Sequence, residues 1–185
     1  MKNLRILWIP LGVLILDQAT KLTVKATMSL YQSIPVLGDF FRLTFVENSG
    51  MAFGISIRDN TFFTVFSIIA SIAILIYLFN MRGEHIYVRV SMAIIFGGAI
   101  GNLTDRLIRG RVVDFFDFEF FNIHIPAFHF LFVRFPGYSM TRWPVFNIAD
   151  MAVTIGMVML FMFILLEKPN KDKVIANASE TEMIR

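Results

Sequence analysis

Asp114, in Gly110-Arg-Val-Val-Asp-Phe-Phe116, and Asp150, in Phe146-Asn-Ile-Ala-Asp150, stand at the edges of hydrophobic runs where a bilayer protein normally excludes carboxylates. An ionisable residue near membrane depth costs ~2.5–3.5 kcal/mol on insertion scales and is by default a functional candidate in need of a partner. Asp150 has no basic residue one helical turn away in its own segment and Asp114 only Arg111, three residues before it, so the two acids are candidate partners of each other. Two carboxylates sharing a site do not readily both ionise; they hold one proton between them and titrate as a unit. Such a pair can take a proton from water with one member while the other donates to a carbonyl oxygen, with no covalent nucleophile. The 35 residues between them leave their separation open.

Other polar residues fall at helical spacing. Asp17 and Lys21 are four apart, acid first, and neutralise each other on one helix face. Asn102 and Arg106 repeat that spacing, Asp105 lies between them, and Asn147 precedes Asp150 by three. Asparagine offers donor and acceptor and arginine a rigid donor fork, a combination suited to an extended peptide backbone. The same pairs could instead only cross-link helices in lipid. Ser49 lacks a nucleophile-elbow context. His124 and His129 have no fitting carboxylate pattern for a metal and read better as interfacial side chains.

The composition dictates where these groups reside. With 56% hydrophobic and 17% charged residues in 185 positions, and a mean hydropathy of +0.66, the chain is an integral membrane protein. The absence of cysteine removes disulfides, thiolate chemistry and a lipidated cysteine anchor. The net charge of +3 comes from scattered basic residues, so nucleic acid is not an expected partner. The reading is mainly α, with four transmembrane helices over about 4–24, 61–79, 86–107 and 145–166 in a single domain, and a polar tail over 168–185. Four spans place both termini on one side and the two long loops on the other, so Asp17, Lys21, Asn102, Asp105, Arg106, Asp114, Asn147 and Asp150 converge on one membrane face. Eight Lys/Arg lie on the terminal side and nine on the other, so the positive-inside rule leaves the orientation open.

Between spans 1 and 2, Gly38 to Glu47 partly alternates and is rich in aromatic and β-branched residues, which predicts a short strand. It leads into Asn48-Ser-Gly-Met-Ala-Phe-Gly54, where Gly50 and Gly54 permit tight turns and Asn48 can reach the polar face. Phe115 to Trp143 holds nine of the 21 phenylalanines and predicts two short strands folded at Pro126 along a membrane surface.

Together, Asp17-Gln-Ala-Thr-Lys21, Asn48 to Gly54, Gly97 to Arg106 with Val112-Val-Asp-Phe115, and Phe146 to Asp150 resemble the lipoprotein signal peptidases (signal peptidase II), in the same order across all four spans. The resemblance implies a bacterial inner-membrane aspartic endopeptidase that removes signal peptides just before the diacylglyceryl-modified cysteine of prolipoproteins, with no metal or organic cofactor. It implies catalysis by Asp114 and Asp150, substrate holding by Asn48, Asn102, Arg106 and Asn147, and polar support from Asp17, Lys21 and Asp105. It further implies cytoplasmic termini, an active site near the extracytoplasmic face and a β-rich cradle between spans 1 and 2; a monomer in contact with membrane lipids is the separate expectation for partners.

One departure from that resemblance is the long Asp114–Asp150 interval, whose aromatic surplus is expected to form a lid or lipid-contacting hairpin. Asp114 is expected on a less constrained segment than Asp150. A small proton- or ion-coupled transporter and a non-catalytic scaffold are the rival readings. Against the transporter, the acids gather at one face instead of lining a route through the membrane.

Overall fold

A computed structural model describes residues 4–49, 60–80, 83–120, 123–130 and 132–167. The turns expected at Gly50 and Gly54 and the 168–185 tail lie outside the described residues. A short 3-10 turn, Leu4–Leu7, opens into α1 (Trp8–Thr27), followed by α2 (Asn60–Asn80), α3 (Ile86–Arg109) and α4 (Ile148–Leu166). All four are long and apolar enough to cross a membrane. α3 begins where the His85 side chain accepts the Tyr87 amide and ends at Gly110, whose φ of 73° is a left-handed cap that glycine adopts without strain.

Two boundaries differ from expectation. α1 continues one turn beyond 24, carrying Val24 and Met28 into contact with the sheet described below. α4 starts at Ile148 instead of 145, because Asn147 is its N-cap and not a helical residue.

The helices meet through small residues, as expected where lipid offers no hydrophobic incentive and close backbone approach must supply the contact energy. A Cβ on Gly98 would lie 2.4 Å from the Ala149 carbonyl oxygen, one on Gly156 2.9 Å from the Ser91 carbonyl oxygen, and one on Gly101 2.6 Å from Asp17 Oδ2. These glycines let α1 and α4 press against α3, while α2 packs chiefly on α3.

The cradle is a three-stranded antiparallel sheet of β1 (Ser33–Leu37), β2 (Phe41–Asn48) and β3 (Val112–Phe118), in the order β1-β2-β3. Its third strand follows α3, so the sheet is not built only from the connection between spans 1 and 2. Asp114 is therefore not on a loosely constrained segment: it pairs in register with Val46 of β2. Strand alternation turns Val113 and Phe115 into a buried cluster with Val24, Met28 and Phe45 and leaves Asp114 on the opposite face.

The aromatic segment forms four short strands, not two folded at Pro126. β4 (Ile123–Ile125) pairs with β7 (Tyr138–Met140), and β5 (Phe128–Phe130) with β6 (Val133–Phe135), giving one hairpin nested in another. Gly137, at φ 83°, turns the chain from β6 into β7.

Gly98→Ala is expected to lower thermal stability by about 1–3 kcal/mol, because the new methyl meets backbone that cannot rotate away. Gly12→Ala, which meets nothing within 4 Å, is the matched control and should leave the melting temperature unchanged or slightly raised in detergent micelles.

Candidate active site

At the sheet end of the bundle, a lysine organises four elements. Lys21 is fully buried, and its ammonium directs its three protons to Asp17 Oδ2 at 2.9 Å, Asp105 Oδ2 at 3.0 Å and Asn102 Oδ1 at 2.9 Å. The other Asp17 oxygen accepts the Ala149 amide at 3.0 Å, tying α1 to the first turn of α4. Asp105 Oδ2 also accepts the Val113 amide at 3.1 Å, tying α3 to β3. Arg109 forms an ion pair with the remaining Asp105 oxygen. Lys21 and Arg109 thus balance Asp17 and Asp105, the condition under which buried charge is tolerated.

Those contacts fix the orientation of Asn102. With its oxygen turned to the Lys21 ammonium, its Nδ2 faces Asp150 and donates to Oδ1 at 2.7 Å. Asn147, wholly buried, is locked in the same manner from the other side. Its Oδ1 accepts the Asp150 amide at 3.0 Å, and the Asp150 carboxylate accepts the Asn147 amide at 3.2 Å, a reciprocal capping box that begins α4. That use of the oxygen points Nδ2 at Asp114 Oδ1, 2.6 Å away. Asn48, at the end of β2, donates to Asp114 Oδ2 at 3.0 Å.

The two acids are therefore brought together and joined through Asn147, which touches both. Asp114 is 2% exposed. Burial and the neighbouring Asp150 charge raise its carboxyl from 3.8 to about 7, against the hydrogen bonds from Asn48 and Asn147.

A paired segment sets the register of this site. Phe116 and Phe146 exchange backbone hydrogen bonds of 2.8 and 3.1 Å, and the Trp143 amide donates to the Phe118 carbonyl at 2.8 Å, so 143–147 runs beside β3. Arg142 clamps its start, donating to Asp117 Oδ1 at 2.7 Å, Glu119 Oε2 at 2.9 Å and the Asp39 carbonyl at 2.9 Å.

The segment also separates two grooves. One, ≈ 330 Å³, is lined by Tyr31, Glu47, Asn48, Asp114, Pro144 and Val145 among others. The second, ≈ 390 Å³, is lined by Asp150 with Phe120, Trp143, Phe146, Met151 and Ile155 among others. A larger cavity of ≈ 460 Å³, beside His85 and Phe163, lies at the opposite end of α3 and α4, away from the acids.

Each expected site residue is at this end of the bundle except that Arg106 turns aside: its Nη1 donates to Ser67 of α2 at 3.3 Å, and its Nε is buried without a hydrogen-bond partner among the described residues. His124 bonds Ser139 across the β4–β7 pair at 2.6 Å. Three supporting residues escape the sequence reading. Gln18 lies within reach of Asp17 and Asp105 at 3.0 and 3.3 Å, a role its place beside Asp17 could have signalled. Arg109 follows Asp105 by four, a readable helical pair. Arg142 acts across the fold and has no local signal.

Four membrane-long helices thus hold a hydrogen-bonded carboxylate pair at one end, Asp114 buried and Asp150 half-buried. The signal peptidase (SPase) II family matches residues 9–166. A lipoprotein signal peptidase of Alteromonas mediterranea is 42% identical over 166 residues, 86% of this chain and 80% of the relative. One of Pseudomonas putida is 34% identical over 173 residues, 91% of each chain. A bacterial membrane enzyme solved by the in meso method at 2.3 Å superposes with a TM-score of 0.72 at 32% identity, covering 90% of this chain and 91% of the other. The chain belongs to the signal peptidase II family, which sets aside the transporter and scaffold readings.

Lys21→Met is expected to cost about 3–5 kcal/mol, because it strands a buried carboxylate. Lys21→Met combined with Asp17→Asn should lose less than the single change, since Arg109 and Asp105 still balance and the substituted side chain's amide oxygen still accepts the Ala149 amide. Unfolding midpoints of the two variants in detergent provide the comparison.

Proposed function

We propose that this protein cleaves the signal peptide from diacylglyceryl-modified prolipoproteins immediately before the lipidated cysteine, using Asp114 and Asp150 to activate water. The observation that carries this reading is the shared Asn147, which holds one acid by its side chain and the other by its backbone amide, both opening on grooves.

In the proposed cycle Asp114, whose carboxyl is raised to about 7 by burial and by the Asp150 charge, carries the pair's proton and Asp150 is the base. Asp150 takes a proton from water as the water oxygen bonds to the scissile carbonyl carbon, and Asp114 gives its proton to the carbonyl oxygen. The resulting diol collapses when the amide nitrogen takes a proton from Asp150; the C–N bond breaks, a hydroxyl proton of the diol returns to Asp114, and the signal peptide leaves with a new carboxyl group. Asn48, at the lip of the Asp114 groove, and Arg106, on turning from Ser67 toward the acids, supply donors for the substrate backbone. Asn102 and Asn147 act on the acids themselves, and Asp17, Lys21 and Asp105 support them from behind.

The chain works as one domain and as a monomer. It resides in the bacterial inner membrane with cytoplasmic termini, which puts the dyad near the extracytoplasmic face. There the substrate's acyl chains stay in lipid while its cleavage motif enters, and anchoring supplies orientation before chemistry.

Asp114→Asn and Asp150→Asn are each expected to lower turnover of modified prolipoprotein by about 10²–10⁴-fold or more, with the unmodified form uncleaved by wild type. Retention of turnover by either variant would defeat the dyad assignment. In the wild type, kcat/KM should fall as pH rises through about 7, where Asp114 ionises. Asn48→Ala removes a hydrogen bond that favours the Asp114 carboxylate, so its alkaline limb should move to higher pH whatever the change in absolute rate.

A further inference from the structure

The arm between Glu119 and Arg142 reaches the site only at its root, where Phe120 lines the Asp150 groove, yet its surface is organised. From Phe120 to Thr141 the sequence contains no Asp or Glu, while His124, His129 and Arg134 make it basic. In the inner hairpin Phe128 stands opposite Phe135, rings stacked with centroids 5.0 Å apart, and His129 stands opposite Arg134. Strand alternation puts the ring pair on one face and the basic pair on the other. The hairpin's tip, Phe132, is 102% exposed and Phe128 50%. The outer pair repeats the separation, with Ile123 and Ile125 exposed on one face and His124 on the other.

Isolated two-stranded hairpins are marginal in water, and exposed aromatic surface of this kind marks a contact site. The roots of the arm say which contact. The Glu119 amide donates to the Phe40 carbonyl at 3.0 Å and Arg142 clamps the return. Six residues later α4 begins its membrane crossing at Ile148. The arm thus leaves the protein at the boundary between the bundle and the lipid headgroups, where aromatic side chains are favoured and an acid-free basic face is complementary to anionic phosphate.

We propose that the nested hairpin docks on the bilayer leaflet at the dyad's end of the bundle, with Phe132 and the Phe128–Phe135 face in the acyl boundary and Arg134 and His129 on anionic phospholipid headgroups. The occupant is the lipid surface, not a protein partner.

Because the chain has no cysteine, Phe132→Cys gives a single site for a nitroxide label on the full-length protein in nanodiscs. Collision rates with oxygen and with a water-soluble nickel chelate report depth, and the measurement does not depend on catalysis. In discs containing phosphatidylglycerol the label is expected to favour oxygen at a depth of about 5–10 Å. Adding Arg134→Glu, or using phosphatidylcholine alone, should move it toward the nickel chelate. A label open to the chelate in anionic discs overturns the proposal. Shielding from both reagents does so as well, because it marks contact with protein, and so does a depth indifferent to both Arg134→Glu and lipid charge.

Discussion

The Lys21 ammonium is the constraint on which the site depends, because it decides which way an amide faces. Asparagine carries both an amide oxygen and an amide nitrogen, and only the nitrogen can donate to a carboxylate. By claiming the Asn102 oxygen at 2.9 Å, Lys21 leaves the nitrogen for Asp150. The same ammonium pairs with Asp17 and Asp105, whose carboxylates hold the amides of Ala149 and Val113. One charge thereby positions the start of α4 and the strand bearing Asp114. Burying it is costly in itself, so its value lies in the geometry it imposes more than in stability.

A second shared use of contacts operates at the N-terminus of α4. A helix start needs acceptors for its free amides, and an N3 acid normally serves only to complete the capping box. Here the N3 acid is Asp150, so the backbone contact that begins the helix also orients one member of the proposed dyad. The cap residue must be asparagine for the arrangement to work. Serine or aspartate would cap the helix equally well but would have no amide protons to offer Asp114. Helix initiation and the pairing of the acids are the same set of hydrogen bonds.

Much of this was readable beforehand, because lipid makes polar residues conspicuous. In uninterrupted apolar runs, Asp17, Lys21, Asn102, Asp105, Asp114, Asn147 and Asp150 stand out, and the hydrophobic lengths between them set the four spans. What escaped reading depends on contacts remote in sequence. β3 reads as a loop after α3 because its strand character depends on pairing with β2, some 66 residues earlier at the Asn48–Asp114 contact. The apolar run predicts an α4 start at 145 because Val145 and Phe146 are as apolar as the helix itself, although Asn147 with an acid three residues on is a cap signature. Local turn propensity predicts two strands folded at Pro126, whereas the turn into β7 uses Gly137.

The placement of the acids relative to the two grooves follows from the same paired segment. Pro144 and Val145 face the groove of Asp114, and Trp143 and Phe146 face that of Asp150. On the Asp114 side Glu47, Asn48 and Tyr31 supply polar edges suited to water. The Asp150 side is walled by aromatic rings and by Met151 and Ile155 of the first turns of a membrane-spanning helix. Hydrolysis of a lipid-anchored peptide poses conflicting demands, since its nucleophile comes from water and its substrate from lipid. The proposed dyad lies across a thin partition, one acid lining each groove and Asn147 bridging them. The partition must then be rigid, and the Arg142 clamp, together with the Phe116–Phe146 hydrogen bonds, gives it that rigidity from the sheet side.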